Sequence, residues 1–214
     1  MRKSILVLTM LCLICCKKEN TEQQSLVLDS SKNSIDSANI VLDTVRIESQ
    51  SQKFRNLNNE ILDVLKDKNY KEFATYIHPE KGVNFSMYAH LNPQKDKHFT
   101  REEFNLHLEK NTQFTWGQKD GSGDPLVLPI KNYFREWLFK RDFTAAEFSF
   151  NQFKGKGNTL NNIQKIYPDA EVTENYIPGT EIYSGMDWNS LIFVFEEYNG
   201  LYYLVAVANN SWTV

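Results

Sequence analysis

The sequence predicts an α+β domain in which amino-terminal helices pack on a curved antiparallel sheet that ends in a long carboxy-terminal hairpin. Three observations predict it. Apolar residues recur at helical spacing just after Phe54, continuous apolar runs fill the last 25 residues, and Asn199-Gly200 separates two of those runs.

The elements follow in order. Phe54, Leu57, Ile61, Val64 and Leu65 recur at helical spacing and predict an amphipathic helix over residues 53–67. A second short helix follows, with Tyr70, Phe73 and Ile77 on its face, and stops at His78-Pro79. Val83, Phe85, Met87 and Ala89 alternate, as in a strand. Thr100 and Glu103 form a capping box that opens a helix carrying Phe104 and Leu108. Residues 113–119 read as a strand, followed by a turn rich in Gly and Asp over residues 120–125. Ile130, Tyr133, Phe134, Trp137 and Leu138 make a further helical stripe. Phe148 and Phe150 predict a strand over residues 147–151, although Thr144 and Glu147 also fit a helix cap. Asn158 or Thr159 starts a short helix that ends before Pro168.

At the carboxyl end, residues 191–198 and 201–208 flank Asn199-Gly200, a pair that tolerates positive φ at both positions of a type I′ turn. A two-residue loop sets Tyr198 opposite Leu201, Phe195 opposite Leu204 and Phe193 opposite Ala206. On the other face Val194 meets Val205 and Ile192 meets Val207. Both faces are apolar away from the turn, so these strands are expected at the centre of the sheet, covered on both sides. No internal repeat is visible.

The amino terminus has a different grammar. Arg2 and Lys3 precede an apolar run over residues 5–14, too short for a membrane-spanning helix, which needs about 20 apolar residues, and of the size of a signal-peptide core. Leu13, Ile14, Cys15 and Cys16 then give way to Lys17, Lys18 and Glu19. This junction resembles the bacterial lipobox, with Leu13 three places before the modified Cys16. The resemblance implies cleavage after residue 15 and acylation of Cys16, as in lipoproteins that carry two or more acyl chains, such as palmitate. At roughly 0.8 kcal/mol per buried CH₂, two chains anchor stably where one does not. The other reading is a short apolar start with incidental cysteines. The cysteines are Cys12, Cys15 and Cys16, so a processed domain keeps no disulfide, thiol nucleophile or thiolate metal site.

Residues 17–50 hold no aromatic residue, Gly or Pro, and few apolar ones, which predicts a disordered tether. The expected organisation is a signal peptide over residues 1–15, lipidated Cys16 with a polar tether to residue 51, and one globular domain over residues 52–214. The domain, roughly 160 residues, is long enough to bury about two-thirds of its unfolded surface. Removing Arg2 and Lys3 from the 24 basic residues leaves 22 against 27 acidic ones, a net of −5, which argues against nucleic acid as a partner.

Five segments resemble a widespread family of exported bacterial lipoprotein domains. They are residues 78–86, from His78-Pro79 to Ser86; residues 114–117 with the turn 120–125; residues 157–160; residues 167–170; and residues 185–188 with the hairpin through Thr213. The layout is also similar to the nuclear transport factor 2-like cone, in which helices close one end of a curved sheet around an apolar pocket. The resemblance to a cone implies fold alone, because no catalytic motif of its enzymes can be placed on these residues.

Candidate chemistry is sparse. Asp120 and Asp124 flank Ser122 in a pattern that can wrap Ca²⁺, but the sixth and twelfth positions hold Pro125 and Lys131 where an EF-hand needs Gly and Glu, so a connecting turn is expected. Ser122 has Asp120 and Asp124 where a nucleophile elbow needs Gly. His78, His90, His98 and His107 show no metal-ligand spacing. His78 is the candidate catalytic base, or else a helix-terminal residue bonding the last carbonyls. Glu196 and Glu197 are expected in solvent. Tyr88, Trp116, Trp188 and Trp212 are the candidate ligand-binding aromatics, with Tyr183 beside them, against the alternative of a core role.

Two functional readings follow. The first is a non-catalytic module, lipid-anchored to a membrane of the bacterial cell envelope, with the outer membrane expected. It would bind a small apolar or glycan ligand, or an envelope protein, with no cofactor. The second is a small cone-type enzyme, an isomerase, dehydratase or hydrolase, using His78 or an Asp in a cavity.

Overall fold

A computed structural model describes the backbone of residues 31–214 and the side chains of residues 46–214. The signal segment and Cys16 lie outside the described residues. The chain divides into two units, Met1–Leu42 and Asp43–Val214, and the second holds the sheet and its core.

The protein is α+β, and its first helix is longer than its apolar stripe. Helix α1 runs Ser31–Lys66. Its buried face is the predicted one, with Phe54, Asn58, Ile61, Leu62 and Leu65 shielded and Leu57 half-buried. The compact unit begins at Asp43 rather than at residue 52, and the Gln50 carboxamide donates to the Glu171 carboxylate at 2.5 Å. Residues 43–51 are therefore helix and not loose tether. No Gly or Pro lies within residues 31–53 to interrupt it.

Short helix α2 (Tyr70–Phe73) continues into a 3-10 turn, Ala74–Tyr76, and buries Tyr70 and Phe73 as expected. Strand β1 (Val83–Ser86) pairs with β2 (Lys97–Phe99). Helix α3 (Arg101–Lys110) opens with the predicted capping box: Glu103 N donates to Thr100 Oγ1 at 3.1 Å, and Thr100 N to Glu103 Oε2 at 2.9 Å. Strands β3 (Gln113–Gln118) and β4 (Pro125–Pro129) form a separate two-stranded ribbon across the expected turn. Its second strand, bracketed by two prolines, has no hydrophobic signature beyond three residues. Helix α4 (Ile130–Tyr133) widens into a π turn over Phe134–Leu138, closed by Phe139 N donating to Phe134 O at 2.7 Å. Strand β5 (Glu147–Phe150) settles the choice at residues 147–151, since Thr144 binds Asp142 and caps no helix. Helix α5 (Ile163–Ile166) starts later than predicted. Asn158 and Thr159 bond Thr213 near the chain end, at 3.0 Å each, and are unavailable as a cap.

Strands β6 (Glu171–Ile177), β7 (Asn189–Tyr198) and β8 (Leu201–Ser211) complete a six-stranded sheet in the order β2-β1-β8-β7-β6-β5. The hairpin β7–β8 lies at its centre, and Asn199 and Gly200 both have positive φ (54° and 80°), as a type I′ turn requires. The sheet is mixed, not wholly antiparallel, because β1 and β8 run parallel. No tight turn joins those two strands. The long intervening chain leaves their relative direction to packing, so β1 satisfies the open edge of β8 in either sense.

The register is right only near the turn. Phe195 pairs with Leu204 as predicted, but a bulge follows, and Val194, Phe193 and Ile192 face Ala206, Val207 and Ala208. Val205 is the extra residue of β8. The slip has a packing reason. It turns Val205 and Ala206 both toward the smaller core, with Ile192, Val194 and Ile163, and returns Val207 to the larger one beside Phe193 and Phe195. The larger core, under the helices and the β3–β4 ribbon, is aromatic: Phe73 meets Phe134 edge-on at 5.1 Å, and Trp116 stacks on Tyr133 at 3.6 Å.

Strand β6 was invisible in the sequence because Thr173, Glu174 and Asn175 are polar and yet fully buried. Each has partners. Glu174 accepts from Ser190 Oγ at 2.7 Å and from the backbone N–H groups of Lys154 and Gly155. Thr173 and Asn175 bond Asn58 on α1. A buried polar group so satisfied costs little, where an unpaired one costs about 1–3 kcal/mol.

Candidate functional site

A cleft of about 700 Å³ lies between the outer side of α1 and the start of β8. Its volume is that of a small-molecule site, about 300–1,000 Å³. The hairpin turn ends at Gly200, so Leu201, Tyr202 and Tyr203 emerge where no further strand covers their side chains. Leu201 stays 60% exposed. The facing wall is α1, with Gln52, Lys53, Asn56, Leu57 and Glu60, and the 3-10 turn supplies Thr75 and Tyr76. Tyr202 is braced edge-on by buried Phe54 at 4.7 Å, and Lys53 Nζ lies over its ring, 4.6 Å from the centroid. Arg101 lies over Tyr203 at 5.6 Å.

Burial raises the Tyr76 and Tyr202 hydroxyls above the ordinary tyrosine range. Nearby carboxylates add to it: Glu60 and Glu72 for Tyr76, Glu197 and Glu171 for Tyr202. Both hydroxyls therefore stay neutral in a cleft that Gln52, Lys53, Asn56 and Glu60 also line.

A second cleft, about 460 Å³, shares Glu60 and Tyr76 with it and is lined also by Asp63, Val64, Asp67, Asn69 and Glu72. Asn69 caps α2, accepting from Glu72 N at 3.3 Å, and donates to the Glu72 carboxylate at 2.6 Å. None of the four carboxylates is in an ion pair among the described residues. Lys66 pairs with Asp142 at 2.9 Å while also feeling the Asp63 and Asp67 charges, and Lys71 pairs with Glu109 at 3.2 Å.

The residues singled out in the sequence do not converge there. His78 is 2% exposed and faces no cleft wall of α1. Its Nδ1 accepts from the N–H groups of Lys81 at 2.9 Å and Glu80 at 3.2 Å, so its proton sits on Nε2 and the ring organises a turn. It neither bonds the last helix carbonyls nor presents a free Nδ1 lone pair. Burial, and then the Lys81 charge, lower its pKa. Trp116 is core, its indole N–H bonded to Leu128 O at 2.8 Å. Trp188, 5% exposed, is a platform for the loop before α5: a Cβ on Gly155 would come within 2.5 Å of its ring, so only glycine fits there. Trp212 is 39% exposed and stands apart.

Tyr88 does line a cleft, one of about 510 Å³ with His90, Asp120, Thr159 and Thr213. Its hydroxyl accepts from Asp120 N at 2.7 Å, and the Asp120 carboxylate accepts from Val214 N at 2.6 Å. The acidic turn is thus tied to Val214 through Asp120. His90, His98 and His107 bond Leu160 O, Lys81 O and Thr112 Oγ1, and no group of three His, Cys, Asp or Glu among the described residues is placed to hold a metal. Glu197 is exposed, whereas Glu196 is half-buried and paired with Lys81.

The cleft residues carried a faint signal. Tyr76 falls off the buried stripe of its helix, and Leu201 and Tyr202 are apolar beside a turn, where no strand can cover them. No family model, curated protein or solved structure matches this chain.

Proposed function

We propose that this protein is a non-catalytic binding module, tethered to a bacterial envelope membrane through Cys16, that takes a small ligand with an apolar body in the cleft between α1 and the start of β8. The observation that carries this reading is the cleft's wall: Leu57, Leu201, Tyr76 and Tyr202 offer apolar surface to solvent at a site of ligand size. Gln52, Asn56 and Thr75 at its rim supply the few polar groups that orient a ligand. The enzyme reading finds less support, since His78 spends its Nδ1 on backbone N–H groups and the space between helices and sheet is filled by Phe54, Phe85, Phe193 and other rings.

The neutral fluorophore N-phenyl-1-naphthylamine tests it, added to the chain carrying Cys16→Ser. Saturable binding is expected, weakened about ten-fold by Leu201→Ser, which removes one exposed apolar contact of the order of 1–2 kcal/mol. Binding that ignores Leu201→Ser and Tyr202→Ala alike places the ligand elsewhere and ends the proposal.

A further inference from the structure

We infer that the ligand of this cleft is a short free peptide, bound as an extended strand on the open edge of β8 at Tyr202, with its amino end toward Glu60 and its carboxylate toward Lys53. The inference rests on the cleft being the binding site and adds the ligand's chemical class and direction.

The open edge is the first reason. In the hairpin β7–β8, Tyr198 faces Leu201 across the two-residue turn, and Glu197 faces Tyr202 one pair further on. Antiparallel pairs alternate between those that exchange both backbone bonds and those that exchange none. The turn makes Tyr198 and Leu201 a bonded pair, so the N–H and C=O of Tyr202 point away from β7. Leu204, two residues on, has the same orientation, and its carbonyl accepts from His78 N on that outer side at 3.0 Å.

Strand β1 pairs with β8 only from Ala206 onward, and Ile77 bridges to Leu204. Just before Ile77 the chain curls into the 3-10 turn Ala74–Tyr76, closed by Ile77 N donating to Ala74 O at 3.3 Å. The cover stops one pair short. Among the described residues the Tyr202 N–H and C=O have no backbone partner. Residues 201–203 line the cleft, so this free edge opens into it. An open strand edge is a template for an added strand, held by main-chain bonds that any peptide can make.

The charges on the facing wall are the second reason. Lys53 and Glu60 both line the cleft, and neither is in an ion pair among the described residues. They stand two turns apart on one face of α1, roughly 10 Å along its axis. An extended tripeptide also spans roughly 10 Å between its ammonium and its carboxylate. Lys53 lies over the Tyr202 ring, whereas Glu60 lies toward the 3-10 turn, where it acts on the Tyr76 hydroxyl. A peptide with its amino end at Glu60 and its carboxylate at Lys53 therefore runs antiparallel to β8. Its central residue faces Tyr202 and exchanges two backbone bonds with it. Leu57 and Leu201 supply apolar contacts for its side chains. A simple carboxylic acid or alkylamine would meet only one of the two charges.

Trileucine tests the inference, titrated calorimetrically at low salt into the full chain carrying Cys16→Ser. Three analogues accompany it: one methylated on the nitrogen of the central residue, one methylated on the nitrogen of the third residue, and one acetylated and amidated at its ends. The central methyl removes the donor to Tyr202 C=O and is expected to weaken binding about ten-fold, while the methyl on the third residue, whose N–H points away from β8, changes it little. Blocking the ends should also weaken binding about ten-fold. The exposed changes Lys53→Gln and Glu60→Gln should each weaken trileucine and leave the blocked peptide unaffected. Absence of trileucine binding, methyl groups that act alike at the two positions, or a blocked peptide that binds as tightly as the free one overturns the peptide inference. The cleft still stands in that case if N-phenyl-1-naphthylamine binds and responds to Leu201→Ser. If neither trileucine nor the fluorophore responds to Leu201→Ser, the cleft reading has failed and this inference with it.

Discussion

The carboxamides of Asn58 and Asn175, 117 positions apart, face each other inside the protein and exchange hydrogen bonds: Asn58 Nδ2 donates to Asn175 Oδ1 at 2.8 Å, and Asn175 Nδ2 to Asn58 Oδ1 at 2.9 Å. Thr173 Oγ1 adds a third bond to Asn58 Oδ1 at 2.8 Å. All three side chains are at most 1% exposed. The pair seats α1 on β6 in one register, and α1 carries one wall of the cleft.

Asn58→Ala should therefore destabilise the protein by about 2–4 kcal/mol, because it strands the Thr173 hydroxyl and the Asn175 carboxamide together. Asn58→Leu with Asn175→Val removes both partners and should cost less than the two single changes summed. Chemical denaturation of the four chains forms a double-mutant cycle. Strict additivity would show that the two amides do not act as a pair.

His78 predicts a pH dependence of stability. Its folded pKa lies below the ordinary histidine value, through burial first and the Lys81 charge second. A proton added at Nδ1 also displaces the Lys81 and Glu80 N–H donors. The folded state thus binds this proton less readily than the unfolded chain. The stability is fully present above the unfolded pKa of about 6.5 and is lost as pH falls through the folded value. His78→Asn should be less stable than the parent at pH 8 and should narrow that gap as pH falls toward 5. Melting curves whose separation stays constant over that range exclude the mechanism.

The lipobox reading of Cys16 makes a separate prediction. The native protein should begin at Cys16 and carry acyl mass on it, and Cys16→Ser should move the chain from the membrane pellet to the supernatant. Mass spectrometry and fractionation check it. An unmodified thiol at position 16, or a retained Met1, removes the anchor from the proposal.

How much of this was legible depended on the range of the interactions involved. The Thr100 capping box and the Asn199-Gly200 turn were readable, since each is completed within four residues. Strand β6 was not, because polar Thr173, Glu174 and Asn175 are buried only by virtue of Asn58, Ser190 and the Gly155 backbone. The placement of the aromatic candidates is long-range in the same way. Trp116 and Trp188 find partners in Leu128, Tyr133 and Gly155, while Tyr76 and Tyr202 are only half-buried, Leu201 stays exposed, and all three line the cleft.

From sequence alone came the α+β class, the helical stripes and the central hairpin, because hydrophobic period and turn chemistry act over a few residues. The tertiary structure alone decided the parallel pairing of β1 with β8, the bulge at Val205, and the cleft that brings α1 opposite Leu201 and Tyr202. Each of these depends on which distant segments compete for the same surface, and that competition is resolved only when the chain packs.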